Sequence, residues 1–204
     1  TRVSGDFEIH NREFRADSLR GVFLDGPFEG SVHAGPVGGD VSASILFSGS
    51  GRAAGAQLPA MIGLPDTIRM SGSADWRING RIERRGDGAR WPARIDIASD
   101  LRGLGIDAPR PFAKEPPEPR ATRVQLDVPG PGRNVVRLDS GTARAALLFV
   151  ARGDDHWGLE RGAARFDGRA LVLGRESMWH SLGQVVGNNF DTNWIQQYAP
   201  EILS

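Results

Sequence analysis

The residues best suited to chemistry in this chain are few and scattered. The tightest group is "GDDHWG", where Asp154, Asp155 and His156 adjoin: two carboxylates and an imidazole, the types that hold a metal ion or exchange a proton. The same stretch has the Asp and Gly composition of a hairpin turn, and the turn is the better account. His10, His33, His156 and His180 lack a second ligand at metal-binding spacing, so no metal site and no cofactor are expected. "GSGRAAG" (49–55) superficially resembles a phosphate loop. It lacks the terminal Gly-Lys-Ser/Thr and opens no convincing helix, so nucleotide binding is not expected. No Gly-x-Ser-x-Gly elbow is present, and no serine pairs with a histidine. Trp76, Trp91, Trp157, Trp179 and Trp194 could stack on sugars, but without clustered amides and carboxylates beside them a core role is the expectation. No catalytic residue is assigned.

Composition narrows the classes further. The 204 residues carry 25 acidic and 25 basic side chains, a net charge of zero. A nucleic-acid partner, which calls for a basic face, is therefore not expected. Cysteine is absent, which excludes disulfides and thiolate metal sites. No apolar run approaches a membrane span. The chain opens on Thr1 and is expected to be an excised or mature segment, any signal or anchor lying outside it.

The elements that would position such residues alternate with period two. Phe7 and Ile9 share a face; so do Val41, Ala43, Ile45 and Phe47; Ala93, Ile95 and Ile97; and Val124, Leu126 and Val128. "RAALLFVAR" (144–152) and "RALVLG" (169–174) are apolar on both faces and are expected to lie centrally or beneath another layer. Turn signals recur at Asp25-Gly26-Pro27, Gly38-Gly39-Asp40, Gly86-Asp87-Gly88, Pro129 to Gly132, Gly153-Asp154-Asp155 and Asp167-Gly168. The fold class is all-β: an antiparallel meander of curled sheet, either an open groove or sandwich-like. A helical turn is expected within 53–65, and a short C-terminal helix after Asp191, stopped by Pro200. The chain is expected to be one module over 1–204, with a sub-boundary possible only near 99–120.

That stretch, "SDLRGLGIDAPRPFAKEPPEPR", holds five prolines and the single lysine of the chain. Leu101, Leu104, Ile106 and Phe112 give it apolar anchors that a solvated linker does not need. It is expected to be a long Pro-rich crossing loop packed along the sheet.

One-faced apolar strands with almost no helix to cover them must fold on themselves, pack on another sheet or bind something apolar. The candidate concave face comprises Ile95, Ile97, Val124, Leu126, Val128, Leu147, Phe149, Leu171 and Leu173; an ordinary sandwich core is the alternative.

"MSGSADWRINGRI" followed by "RIDIASDLRGLGIDAPRPFAKEPPEPRATRVQL" resembles the YhdP-like branch of the AsmA-like bacterial envelope proteins. The resemblance rests on Ser71, Gly72, Trp76, Ser99, Asp100, Leu101, Gly103, Leu104, Pro109, Pro111 and Lys114. "VSGDFEIHN", "LRGVFLDGPFEGSVHAG", "LERGAARFDGRALVL" and "VVGNNFDTNW" extend it over nearly the whole chain. Asp107-Ala108, where the family usually has Leu-Pro, and "SMWHSLGQ" depart from it. The resemblance implies a non-enzymatic, periplasmic segment of a long inner-membrane-anchored protein of the Gram-negative envelope. It further implies an apolar groove carrying phospholipid acyl chains in outer-membrane lipid homeostasis, with neighbouring segments of the same chain as partners and membrane contact only through an outside anchor. In isolation, sheet edges would favour dimers. A module that docks envelope proteins, and less favourably a carbohydrate-binding or hydrolytic module, are the rival expectations.

Overall fold

The computed structural model describes residues 2–37, 41–59, 68–85, 91–108, 112–152, 157–166 and 169–174. These form thirteen strands: β1 (Arg2–Ser4), β2 (Glu8–His10), β3 (Glu13–Phe23), β4 (Gly26–Gly35), β5 (Val41–Ala54), β6 (Arg69–Arg85), β7 (Ala93–Ser99), β8 (Leu104–Asp107), β9 (Thr122–Gly130), β10 (Arg133–Ser140), β11 (Ala143–Ala151), β12 (Trp157–Phe166) and β13 (Arg169–Gly174). The all-β expectation holds. One path, β1-β3-β4-β5-β6-β7-β9-β10-β11-β12-β13, runs through the sheet, β2 pairing with β3 and β8 with β6. All pairings are antiparallel, and the path does not close into a barrel. The helical turn appears as a 3-10 turn at Gly55–Gln57. The C-terminal helix expected after Asp191 lies outside the described residues, as do Asp154, Asp155, His156, Pro109 and Pro111.

The turn signals at Asp25-Gly26-Pro27 and Pro129 to Gly132 fall at hairpins, while those at 38–40, 86–88, 153–155 and 167–168 lie outside the described residues. Leu24 and Asp25 join β3 to β4 with φ of 51° and 57°, and Asn11 and Arg12 join β2 to β3 with φ of 46° and 72°. Positive φ at both central positions matches the right-handed strand twist, which is why such turns favour short hairpins. The Pro131-Gly132 turn joins β9 to β10. Alternation fails at bulges. The β5–β6 register slips between Val41 and Ala43, so the stripe of Ala43, Ile45 and Phe47 does not continue unbroken to Val41.

The 99–120 segment connects β7 and β9, which are neighbours, and much of it stays within the sheet. Beyond a break at 100–103 the chain resumes along the same edge of β6 as β8, Leu104 opposite Gly72 and Asp107 opposite Arg69. It then returns antiparallel to itself. Ile106 and Lys114 exchange two backbone bonds of 2.9 and 3.0 Å. Gly103 N–H donates to Pro116 O at 2.7 Å, and Arg120 N–H to Asp100 O at 2.6 Å. Proline lacks a donor but keeps its carbonyl, so Pro116 can serve the return arm as an acceptor.

The apolar anchors of this arm are used. Leu104, at 1 % exposure, is the largest fully buried side chain among the described residues. A side chain at Gly55 would collide with it, the Leu104 Cδ1 lying 2.6 Å from where that Cβ would stand. Lys114 is 4 % exposed, and its Nζ donates to Leu104 O at 2.8 Å and Glu115 O at 2.9 Å. The Arg120 guanidinium donates to Phe112 O at 3.1 Å and Ala113 O at 2.6 Å. Phe112 itself packs edge to face on Phe166 of β12, centroids 4.9 Å apart. The return arm therefore straps the sheet from β9 to β12.

Candidate functional site

Strand register gathers the apolar residues into transverse ladders. One runs Ala16–Val32–Phe47–Gly80–Ile95–Leu126–Val136–Leu147–Gly162–Leu173, each residue directly opposite the next on ten successive strands. A second runs Ile78–Ile97–Val124–Leu138–Ala145–Ala164–Leu171. At about 4.8 Å per strand, the first ladder extends roughly 43 Å along the sheet. Val128 adjoins it through Ala93, and Phe149 through Asn134 and Leu159. The nine residues singled out in sequence thus occupy coherent positions, Leu171 and Leu173 by backbone register.

Sequence reasoning missed Val136 and Leu138 on this face, and the ladder's continuation through Val32, Ile78 and Ile82. "NVVRLD" hid Val136 and Leu138 because Val135, beside them, faces the other way. Glycines broke the alternation elsewhere. The Phe47 ring lies over Gly80 on the next strand, filling the space a Cβ would occupy. Trp76 lies likewise over Gly51, its Cζ2 only 2.8 Å from the missing Cβ position. Its indole Nε1 is buried without a hydrogen-bond partner in the structure, an uncommon state for a buried donor.

This face is not a closed core. Phe47, Ile78, Ile82, Ile95, Val124, Leu126, Val136, Leu138, Leu147 and Phe149 are all half-buried, and Ile97 is 37 % exposed. The described strands all belong to one open hydrogen-bonded sheet, and the ladder side chains keep partial contact with solvent. The sandwich-core alternative is not what is seen. The core role expected for tryptophan is corrected at Trp91 and Trp157, which are 43 % and 50 % exposed; Trp76 is half-buried, and Trp179 and Trp194 lie outside the described residues. Trp91 instead stacks with the Arg84 guanidinium at 5.9 Å.

The opposite face is polar across β3–β9. Asp17 accepts from Arg15 at 2.6 Å and from His33 at 2.7 Å, and these two bonds hold its carboxyl below the usual range. Arg94 donates to Asp127 Oδ1 at 2.7 Å, while Arg137 and Gln125 meet Oδ2. Burial pushes the Asp127 carboxyl up, but Arg94 and Arg137 together outweigh it and hold it low. Toward β10–β12 this face turns apolar, with Val135, Ala146 and Ala163 buried. That accounts for "RAALLFVAR" being apolar on both sides. Among the described residues no group of three or more His, Asp or Glu could hold a metal ion. Nor is any helix there long and apolar enough to cross a membrane.

No curated protein and no solved structure matches the chain. The sequence profile described as "YhdP protein" matches residues 1–189. With that profile covering nearly all of its length, the chain belongs to the YhdP family of AsmA-like bacterial envelope proteins.

Proposed function

We propose that the chain is a non-enzymatic β module whose apolar face carries phospholipid acyl chains between membranes, as part of a periplasmic segment of an anchored envelope protein. The observation that carries this reading is the uncovered ladder from Val32 to Leu147 with its half-buried aliphatic and aromatic side chains. A face of this extent left in water is costly. Each CH₂ an acyl chain withdraws from water against it contributes about 0.8 kcal/mol, so six contribute about 5 kcal/mol. The ladder runs across the strands, so a chain laid along it meets apolar side chains at every step. The charged groups stay on the other face, leaving a head group in solvent.

The reading is tested by native mass spectrometry of the protein purified from cell envelopes. Co-purified phospholipid is expected, lost in Leu126→Glu and kept in Asn79→Glu, an exposed position that strand register places on the polar face. Lipid-free protein, or lipid that survives Leu126→Glu, would overturn it.

A further inference from the structure

The polar face carries a second feature that acyl-chain transport does not use. Register aligns Glu29, Ser50, Arg77, Ala98, Arg123 and Asp139 in one transverse row across β4, β5, β6, β7, β9 and β10. A cleft of about 1160 Å³ opens along this row and is bordered by all six. Arg77 and Arg123 stand on either side of Ala98, two strand spacings or about 9.6 Å apart. Alanine leaves the floor between them empty of side chain.

The charges here are unevenly satisfied. Asp139 lies 3.6 Å from Arg144, Asp75 lies 3.6 Å from Arg52, and the Asp100 carboxylate accepts from Arg102 N–H at 2.9 Å. On the same face Arg15, Arg81, Arg94 and Arg137 each hold a carboxylate. Arg77 and Arg123 have no ion pair and no side-chain hydrogen bond among the described residues. Asp100 is met there only by a backbone N–H, and Glu29 and the Arg20 opposite it also carry no ion pair among the described residues; Arg77 and Arg123 are the two unpaired guanidiniums that flank Ala98.

We infer that Arg77 and Arg123 form a binding site for a phosphate-ester group seated over Ala98. A single guanidinium fork satisfies a carboxylate, whereas two forks rooted on either side of one position can share an anion that offers oxygens in several directions. A tetrahedral phosphate does. Exposed ion pairs are individually weak and screened by salt, so binding requires both arginines at once. The site lies on the face opposite the apolar ladder and stands or falls independently of acyl-chain binding.

The test is titration of the ¹⁵N-labelled chain, at low ionic strength, with inorganic phosphate and with glycerophosphoethanolamine, following the arginine Nε–H signals. Saturable shifts at Arg77 and Arg123 are expected, with about tenfold or greater weakening in Arg77→Gln and in Arg123→Gln, and none in Arg102→Gln. Equal affinity for the two probes would mark the site as one for free phosphate, and tighter binding of the second would mark a lipid head group as the source. Both support the site. Arg77 and Arg123 are exposed and unpaired, so the variants should keep the wild-type melting temperature and loss of binding can be read directly. Absence of saturable shifts, or shifts unchanged in both variants, would overturn the inference.

Discussion

Phe112 and Phe166 meet edge to face at 4.9 Å, though one belongs to the return arm between β8 and β9 and the other ends β12. Their contact, together with the Arg120 bonds to the carbonyls of Phe112 and Ala113, makes the Pro-rich arm a strap at one end of the sheet. A double-mutant cycle with Phe112→Ala and Phe166→Ala in urea should give a coupling of about 0.5–1.5 kcal/mol. Additive losses would mean the rings do not meet in solution.

Lys114 makes the arm sensitive to alkali. Burial lowers its pKa below the ordinary 10.5. Between that lowered value and 10.5 the unfolded chain binds more protons than the folded one, so stability should rise with pH through this window. At lower pH the cost of the buried charge is fully present. Lys114→Met should abolish the alkaline gain. Lys114→Ala should also leave the Leu104 and Glu115 carbonyls without their donor and cost about 2–4 kcal/mol at neutral pH. Urea midpoints across the pH range measure both.

Asp127 acts in the opposite direction. Its folded pKa lies below 3.8, so its contribution is complete above 3.8 and is lost as pH falls through the lower, folded value. Asp127→Asn should cost about 1–2 kcal/mol at neutral pH, the two arginines losing their shared counter-charge. It should also flatten the acid limb of the stability curve. An unchanged limb would show that the clamp of Arg94, Asp127 and Arg137 does not form.

Gly80 is the seat of the Phe47 ring. Gly80→Val should displace that ring and cost about 1–3 kcal/mol in thermal or urea unfolding. Combining it with Phe47→Ala should recover part of the loss. No recovery would mean that the glycine serves the backbone instead.

The strands and most hairpins were legible because one-sided burial writes itself as alternation and tight turns demand Gly, Asp, Asn and Pro. "ARIDIASD" and "TRVQLDV" fell on one face as their patterns required. Bulges were not legible: the slips at Val41/Ala43 and Leu148/Phe149 depend on the partner strand. Glycine positions in the ladder were opaque for a related reason. Gly80 and Gly51 contribute apolar surface through rings from the next strand, which a single strand's sequence cannot show. The prolines of 99–120 pointed to a crossing packed along the sheet, but not to Leu104–Asp107 forming a strand on β6 or to Pro116 joining the arm's hydrogen bonds through its carbonyl. Trp91 and Trp157 misled because core preference assumes a second layer, and among the described residues both stand exposed, whereas Trp76 is half-buried as expected.

The central claim is that the apolar ladder contacts lipid. Photoreactive residues placed at Ile97, Leu126 and Phe149 of the protein in living cells, with Gln125 as the polar-face control, address it directly. The account predicts phospholipid adducts by mass spectrometry at the three ladder positions and none at Gln125. Adducts absent from all three, or equally abundant at Gln125, would contradict it.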